Sequence, residues 1–196
     1  MLKDEERKVI AQLWSRKLDQ DARGLPQAER HRNLEPASAE FIHVLAVGCG
    51  ARRILEIGGS SGLSTVTLAA AARETSGRLT SIEIEPARQE EAKRTLGALE
   101  LAQYVEFVLA DAGNLLRRLG PFDLVLIDCE KEDYVRFFDM LRLVPGALVV
   151  ADNILSHDLE SYVRHIRGKS GVESLTLPIG KGLEVSRIAT VSDQPT

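Results

Sequence analysis

Two short segments put oxygen-bearing side chains where an apolar core should end: Asp128 in VLIDCEK and the pair Asp152-Asn153 in VVADNIL. Each follows an unbroken apolar run of the kind that fills a strand buried on both faces. A carboxylate left there without a partner costs several kcal/mol, by the general price of desolvating polar and charged groups. Two carboxylates and one amide oxygen form a hard-oxygen half-shell that suits Mg²⁺. The same ligands accept Mn²⁺ and Ca²⁺ and leave positions for water and a substrate. Lys131 stands three residues beyond Asp128, close enough to share that site. The structural alternative from the same residues is that Asn153 caps the next turn and Asp152 pairs with Lys131.

Other apolar runs end in residues that can hold a ligand. LEIGGSSGLS places Gly58, Gly59 and Gly62 where the backbone turns sharply into a helix start with free N–H groups. The spacing does not meet the GxGxxG dinucleotide fingerprint, so the loop by itself reads equally well as a structural turn. SIEIEP carries Glu83 and Glu85 on one strand face. Glu83 is placed to accept hydrogen bonds from both hydroxyls of a ribose, whereas Glu85 before Pro86 is the acid of a helix start. In LADAG, Asp111 is either the cap of the following helix or a contact for an adenine amino group.

These residues need elements to carry them, and the chain supplies a regular alternation. RILEI, RLTSIEIE, YVEFVLA, FDLVLID and ALVVAD read as strands. Between and after them SSGLSTVTLAAAARE, PARQEEAKRTLGALE, AGNLLRRL, DYVRFFDMLRLV and LESYVRHIRG read as helices. That pattern predicts α/β architecture with a parallel sheet covered on both faces, its ligands gathered at the strands' carboxyl ends. VESLTLPI and GLEVSRIAT, joined through Gly180 and Gly182, read as a closing hairpin, which makes seven strands. Ahead of this core, residues 2 to 20 set Val9, Ile10, Leu13, Trp14 and Leu18 at helical spacing. This amphipathic helix is expected to pack on the body or on a partner, leaving a homodimer open. A polar loop over residues 23 to 36 leads into a second helix at about residue 37.

Its 196 residues suit one domain: an N-terminal helix and loop over 1–36 and a core over 37–190. Twenty-five basic and 29 acidic residues leave a formal charge of −4, which argues against nucleic-acid binding. No apolar run reaches the ~18 residues of a membrane span, and a cytoplasmic protein is expected. Cys49 and Cys129 are far apart without CxxC spacing, so neither a disulfide framework nor a zinc site is indicated. His157 and His43 read as a loop bystander and a packed helix residue.

Taken together, the five strand ends resemble the class I S-adenosylmethionine-dependent methyltransferases. More narrowly they resemble the cation-dependent O-methyltransferases of the catechol and caffeoyl-coenzyme A type. The likeness runs from about LEPASAEFIHVLA to LPIGKGLEVSR, and the DCEK and ADN motifs carry most of it. The resemblance implies a Rossmann-like fold and the cofactor S-adenosyl-L-methionine. Gly58, Gly59 and Ser60 would line its methionine part, with Ser64 near the carboxylate and Glu56 shaping the loop. Glu83 would hold the ribose, and Asp111 with the backbone at Ala112 would meet the adenine. Asp128, Asp152 and Asn153 would hold the divalent cation, and Lys131 falls where the family has its catalytic lysine.

Two departures bear on the acceptor. Cys129 and Glu130 stand where the family has small or aromatic residues, and SHDLESYVRHIRGKSG after ADNIL is short. Both favour a compact catechol or phenol over a coenzyme A ester. The expected reaction is methyl transfer to one hydroxyl of such a phenol, with Lys131 taking the proton. A metal-independent small-molecule methyltransferase and a non-catalytic cofactor-binding module are the alternatives, and selectivity is expected in the loops around 23–36, 129–134 and 154–160.

Overall fold

Five β-type runs fold into parallel strands, four of them buried towards their carboxyl ends and VEFVL, at the sheet edge, largely accessible. In the computed structural model, which describes residues 1–26 and 29–189, these are β1 (Arg53–Ile57), β2 (Arg78–Glu83), β3 (Val105–Leu109), β4 (Phe122–Ile127) and β5 (Leu143–Ala151). β6 (Val172–Leu177) and β7 (Leu183–Ile188) close the sheet as an antiparallel hairpin. The seven strands lie in the order β3-β2-β1-β4-β5-β7-β6. The order reverses between β1 and β4, which is where a doubly wound sheet opens a crevice at its carboxyl edge. The Rossmann-like architecture with a C-terminal hairpin is thus as expected. Gln27, Ala28 and Thr190, which fell within the expected loop and last strand, lie outside the described residues.

The helices are α1 (Asp4–Ala22), α2 (Pro36–Gly48), α3 (Leu63–Thr75), α4 (Pro86–Ala98), α5 (Tyr134–Met140) and α6 (Glu160–Arg167). Successive strand residues point to opposite faces, and the core divides accordingly. Ile54 and Leu124 face Ile42, Val66, Leu68 and Leu96 on one side, while Leu55 and Val125 face Tyr134, Phe138 and Tyr162 on the other. α1 joins the first side through buried Ile10 and Leu13 and through Glu6, fully buried and paired with Arg73 of α3.

Two segments depart from expectation. Residues 112–119 form a single 3-10 turn, Ala112–Asn114, and further turns rather than a helix; Gly113 and Asn114 at its start are poor helix formers. The helix expected to run to Val144 stops at Met140, and Leu143 and Val144 join β5. Pro145 accounts for the extended Val144, since it biases the residue before it towards extended backbone. With Gly146 at φ +83° it forms a bulge, where the register passes from Phe122↔Leu143 to Leu124↔Leu148.

Glu184 on β7 ties the hairpin to α6. Its fully buried carboxylate accepts from Arg167 Nε at 2.9 Å, Ser174 Oγ at 2.5 Å and Thr176 Oγ1 at 2.5 Å. Replacing it removes the acceptor that Arg167, Ser174 and Thr176 share. Glu184→Ala is expected to lower unfolding stability by about 1.5–3 kcal/mol in a urea titration, with Glu184→Gln losing less.

Candidate functional site

The loop after β1 is shaped by close approach. Gly58 has φ +95°, and a Cβ there would sit 2.1 Å from the carbonyl oxygen of Asp128, so β1 and β4 meet backbone to backbone. Beneath the loop Glu56 is fully buried and accepts from Ser81 Oγ at 2.6 Å and Thr65 Oγ1 at 2.7 Å. Burial raises its pKa, opposed by hydrogen bonds from Ser64, Ser81 and Thr65. A Cβ on Gly59 would meet Ser81 Oγ at 2.6 Å and Glu56 Oε2 at 2.9 Å, so side chains fill the space under the turn. Glu56, Gly59 and Ser64 therefore support the loop from below.

Above it opens a cleft of about 700 Å³ lined by Gly58, Ser60, Glu83, Asp111, Ala112 and Asp128, with Arg32 and Arg88 at its rim. Glu83 is anchored by three backbone donors: Ser60 N at 2.7 Å, Ile84 N at 2.8 Å and Glu85 N at 2.9 Å. A carboxylate has about four lone-pair sites, so acceptor capacity remains for a ligand. Asp111 caps the following 3-10 turn, accepting from Gly113 N at 2.8 Å on Oδ1.

A second cleft, about 690 Å³, shares Arg32 and Asp128 with the first and is lined as well by Lys131, Asp152 and Asn153. Strand register brings the carboxylates together. Ile127 pairs with Ala151, and Asp128 and Asp152 follow them. Asn153, at φ +67°, turns its amide back so that Nδ2 donates to Asp128 Oδ1 at 2.9 Å and Asp152 Oδ2 at 2.7 Å. Burial raises the pKa of Asp128, against Lys131 and Arg32. Burial and then the neighbouring Asp128 push Asp152 up to about 8. Asp152 Oδ1 is buried without a hydrogen-bond partner among the described residues. Two mutually repelling carboxylates with an orphaned oxygen, beside an amide whose 180° rotation would turn Oδ1 toward them, fit a hard divalent cation. Among the described residues no three His, Cys, Asp or Glu side chains gather as a metal cluster; the third donor in this set is an amide.

Lys131 contacts Asp128 rather than Asp152. Its Nζ lies 3.4 Å from Asp128 Oδ1 and donates at 2.7 Å to the hydroxyl of Tyr134. That hydroxyl donates in turn to the backbone oxygen of Asp152 at 3.2 Å. Tyr134 is fully buried, burial raises its pKa, and it holds the lysine between the two strand ends. Sequence reasoning missed it because an aromatic at the start of an apolar helix reads as core.

The expected selectivity loops do line the second cleft. Arg30, His31, Arg32, Asn33 and Glu35 come from the first, Lys131 from the second and His157 from the third. Arg32 pairs with Glu130 across the top, and its backbone N donates to Ser60 Oγ at 3.0 Å. His43 is packed, its Nδ1 3.1 Å from Thr67 O. Burial raises the Cys129 thiol, which stays protonated. Lys181, from the turn before β7, also lines this cleft and was not anticipated.

A family model described as O-methyltransferase matches residues 6–186. Catechol O-methyltransferase of Niastella koreensis is 35% identical over 130 residues, which are 63% of this chain and 58% of that protein. The enzyme of the same name from Mycobacterium tuberculosis is 40% identical over 120 residues, 59% of this chain and 54% of that protein. The chain thus spans somewhat over half the length of the curated relatives it matches. The O-methyltransferase TomG of Streptomyces achromogenes, solved in complex with SAM, superposes with a TM-score of 0.78 at 25% identity over 97% of this chain and 92% of that one. Among the described residues no helix is long and apolar enough to cross a membrane.

The buried acid pair makes a prediction about stability. A carboxyl whose folded pKa is raised stabilises below its unfolded value and loses that contribution as pH climbs to the folded one. With Asp152 near 8, the chelator-treated protein should lose stability relative to Asp152→Asn between about pH 4 and pH 8. Melting curves at pH 5 and pH 8 should show the variant's advantage growing by several degrees, at about 2–4 °C per kcal/mol. Parallel curves would mean that Asp152 keeps an ordinary pKa.

Proposed function

The chain belongs to the O-methyltransferase family, and from that premise we propose that it transfers a methyl group from S-adenosylmethionine to one hydroxyl of a catechol-like acceptor, assisted by a divalent cation. The observation that carries this reading is the pair of clefts sharing Asp128 and Arg32. One has the acids for a nucleoside and the other has the hard-oxygen set and a lysine.

In the first cleft Glu83 accepts the ribose hydroxyls, Asp111 and the backbone at Ala112 face the adenine, and the Gly58–Ser60 turn admits the methionine end. The cofactor supplies an electrophilic sulfonium methyl. In the second cleft Asp128, Asp152 and Asn153 hold the cation. A cation bound there supplies Lewis-acid polarisation of a phenol whose free pKa is near ~10, and a fixed seat for two vicinal hydroxyls. Lys131, fixed by Tyr134 and Asp128, takes the phenolic proton as a neutral amine, once its own proton has left to solvent. The family resemblance to catechol O-methyltransferases supports the acceptor class, and the orphaned Asp152 oxygen supports the cation.

One observation favours a second reading. Asn153 already bonds both carboxylates, an arrangement that can persist without a cation in a metal-independent methyltransferase. Release of S-adenosylhomocysteine from a panel of catechols, with Mg²⁺ and with excess chelator, separates the two. Turnover lost to chelator and to Asp128→Asn supports the cation; turnover indifferent to chelator leaves the methyltransferase and removes the metal. Lys131→Ala is expected to lower kcat by roughly 10²–10⁴-fold while the Kd for S-adenosylhomocysteine is unchanged. An equal loss of both would remove the base assignment.

A further inference from the structure

The second cleft is rich in basic side chains, and nearly all of them are already engaged. Lys17 pairs with Asp21, Arg30 with Asp21 at 3.2 Å, Arg32 with Glu130, His31 with Glu91 at 3.0 Å, and Lys131 with Asp128 at 3.4 Å. Lys181 differs: it lines the cleft half-buried, with neither a hydrogen bond nor an ion pair from its side chain among the described residues.

Its placement is fixed by backbone. The turn between β6 and β7 carries Gly180 at φ +56° and Gly182 at φ +89° on either side of it. The Lys181 carbonyl accepts from Leu155 N at 2.9 Å, and the Gly182 carbonyl accepts from Ile154 N at 3.0 Å. Lys181 is therefore tied to the segment leaving Asn153. Of the acids lining the cleft, Asp21 is held by Lys17 and Arg30, Glu35 forms no ion pair with it, and Asp128 and Asp152 feel its charge through space without an ion pair. With a cation held by Asp128 and Asp152, the Lys181 ammonium keeps no contact partner among the described residues.

We propose that Lys181 binds an anionic substituent on the acceptor, so that the preferred substrate is a catechol bearing a carboxylate on its ring or on a short side chain. This rests on the acceptor reading given above. Two hydroxyls at the Asp128–Asp152–Asn153 set and a carboxylate at Lys181 would give the ring a further fixed point and select which hydroxyl faces the methyl donor.

The experiment measures kcat/KM with Mg²⁺ for a dihydroxybenzoate, unsubstituted catechol and dopamine, in the wild-type protein and in Lys181→Met, Lys181→Glu and Lys181→Arg, with folding checked by melting curves. The wild type should prefer the dihydroxybenzoate. The ratio of anionic to neutral substrate should fall about tenfold or more in Lys181→Met, the size of one charge-assisted hydrogen bond. Lys181→Arg should keep the preference, and Lys181→Glu should turn it toward dopamine. A wild type without anionic preference, or a ratio unmoved in Lys181→Met, overturns the inference while catechol turnover keeps the acceptor reading. Turnover of none of the three removes that reading and this inference with it.

Discussion

Two carboxylates buried side by side are the constraint around which the rest of the site is arranged. They are neighbours because β4 and β5 run parallel with Ile127 opposite Ala151, so that the next residue of each strand is an aspartate at the sheet's edge. Their repulsion is moderated by an amide from Asn153 and a lysine from the next turn, and a tyrosine hydroxyl from α5 holds that lysine and the Asp152 backbone oxygen. Each of those groups acquires its position from the acids. Asn153 adopts a left-handed backbone to reach both of them, and Lys131 is drawn over Tyr134 to face one. Such a cluster adds little to stability and much to reactivity.

The two clefts meet at Asp128, which lines both. Gly58, on the first, lies against the Asp128 carbonyl with no side chain intervening. Methyl transfer between separately bound partners demands near contact of the reacting atoms, and clefts that meet at one residue are consistent with that demand. Arg32 spans the top, joined to Ser60 on the first loop and to Glu130 on the other, so one residue touches the margins of both chambers.

Much of this was legible in the sequence for a simple reason: in a parallel sheet a strand's apolar run stops where the ligand edge begins, and Glu83, Asp111, Asp128, Asp152 and Asn153 are the polar residues at those stops. What was not legible has equally physical causes. Tyr134 combines a core role with a polar one, and pattern reports the first. Arg30, Arg32 and Lys181 lie in turns, where no periodicity encodes direction. The α5–β5 boundary was misplaced because Leu143 and Val144 continue a helical apolar pattern, and Pro145 acts on the backbone rather than on hydrophobicity. The 112–119 segment has the apolar spacing of a helix but starts on Gly113 and Asn114, which favour turns over helix.

The bulge at Pro145-Gly146 has a consequence at the opposite end of its strand. Side chains alternate along a strand, so a slip of one residue would turn Asp152 from the cleft and replace it with a neighbour. β5 takes five steps, from Leu143 to Leu148, where β4 takes two, and all of the surplus is absorbed before Leu148. Beyond it the two strands march in step to their carboxyl ends. The irregularity serves as an expansion joint: chain length between α5 and β5 is adjusted where there is no chemistry, and the spacing of the acids downstream is insulated from it.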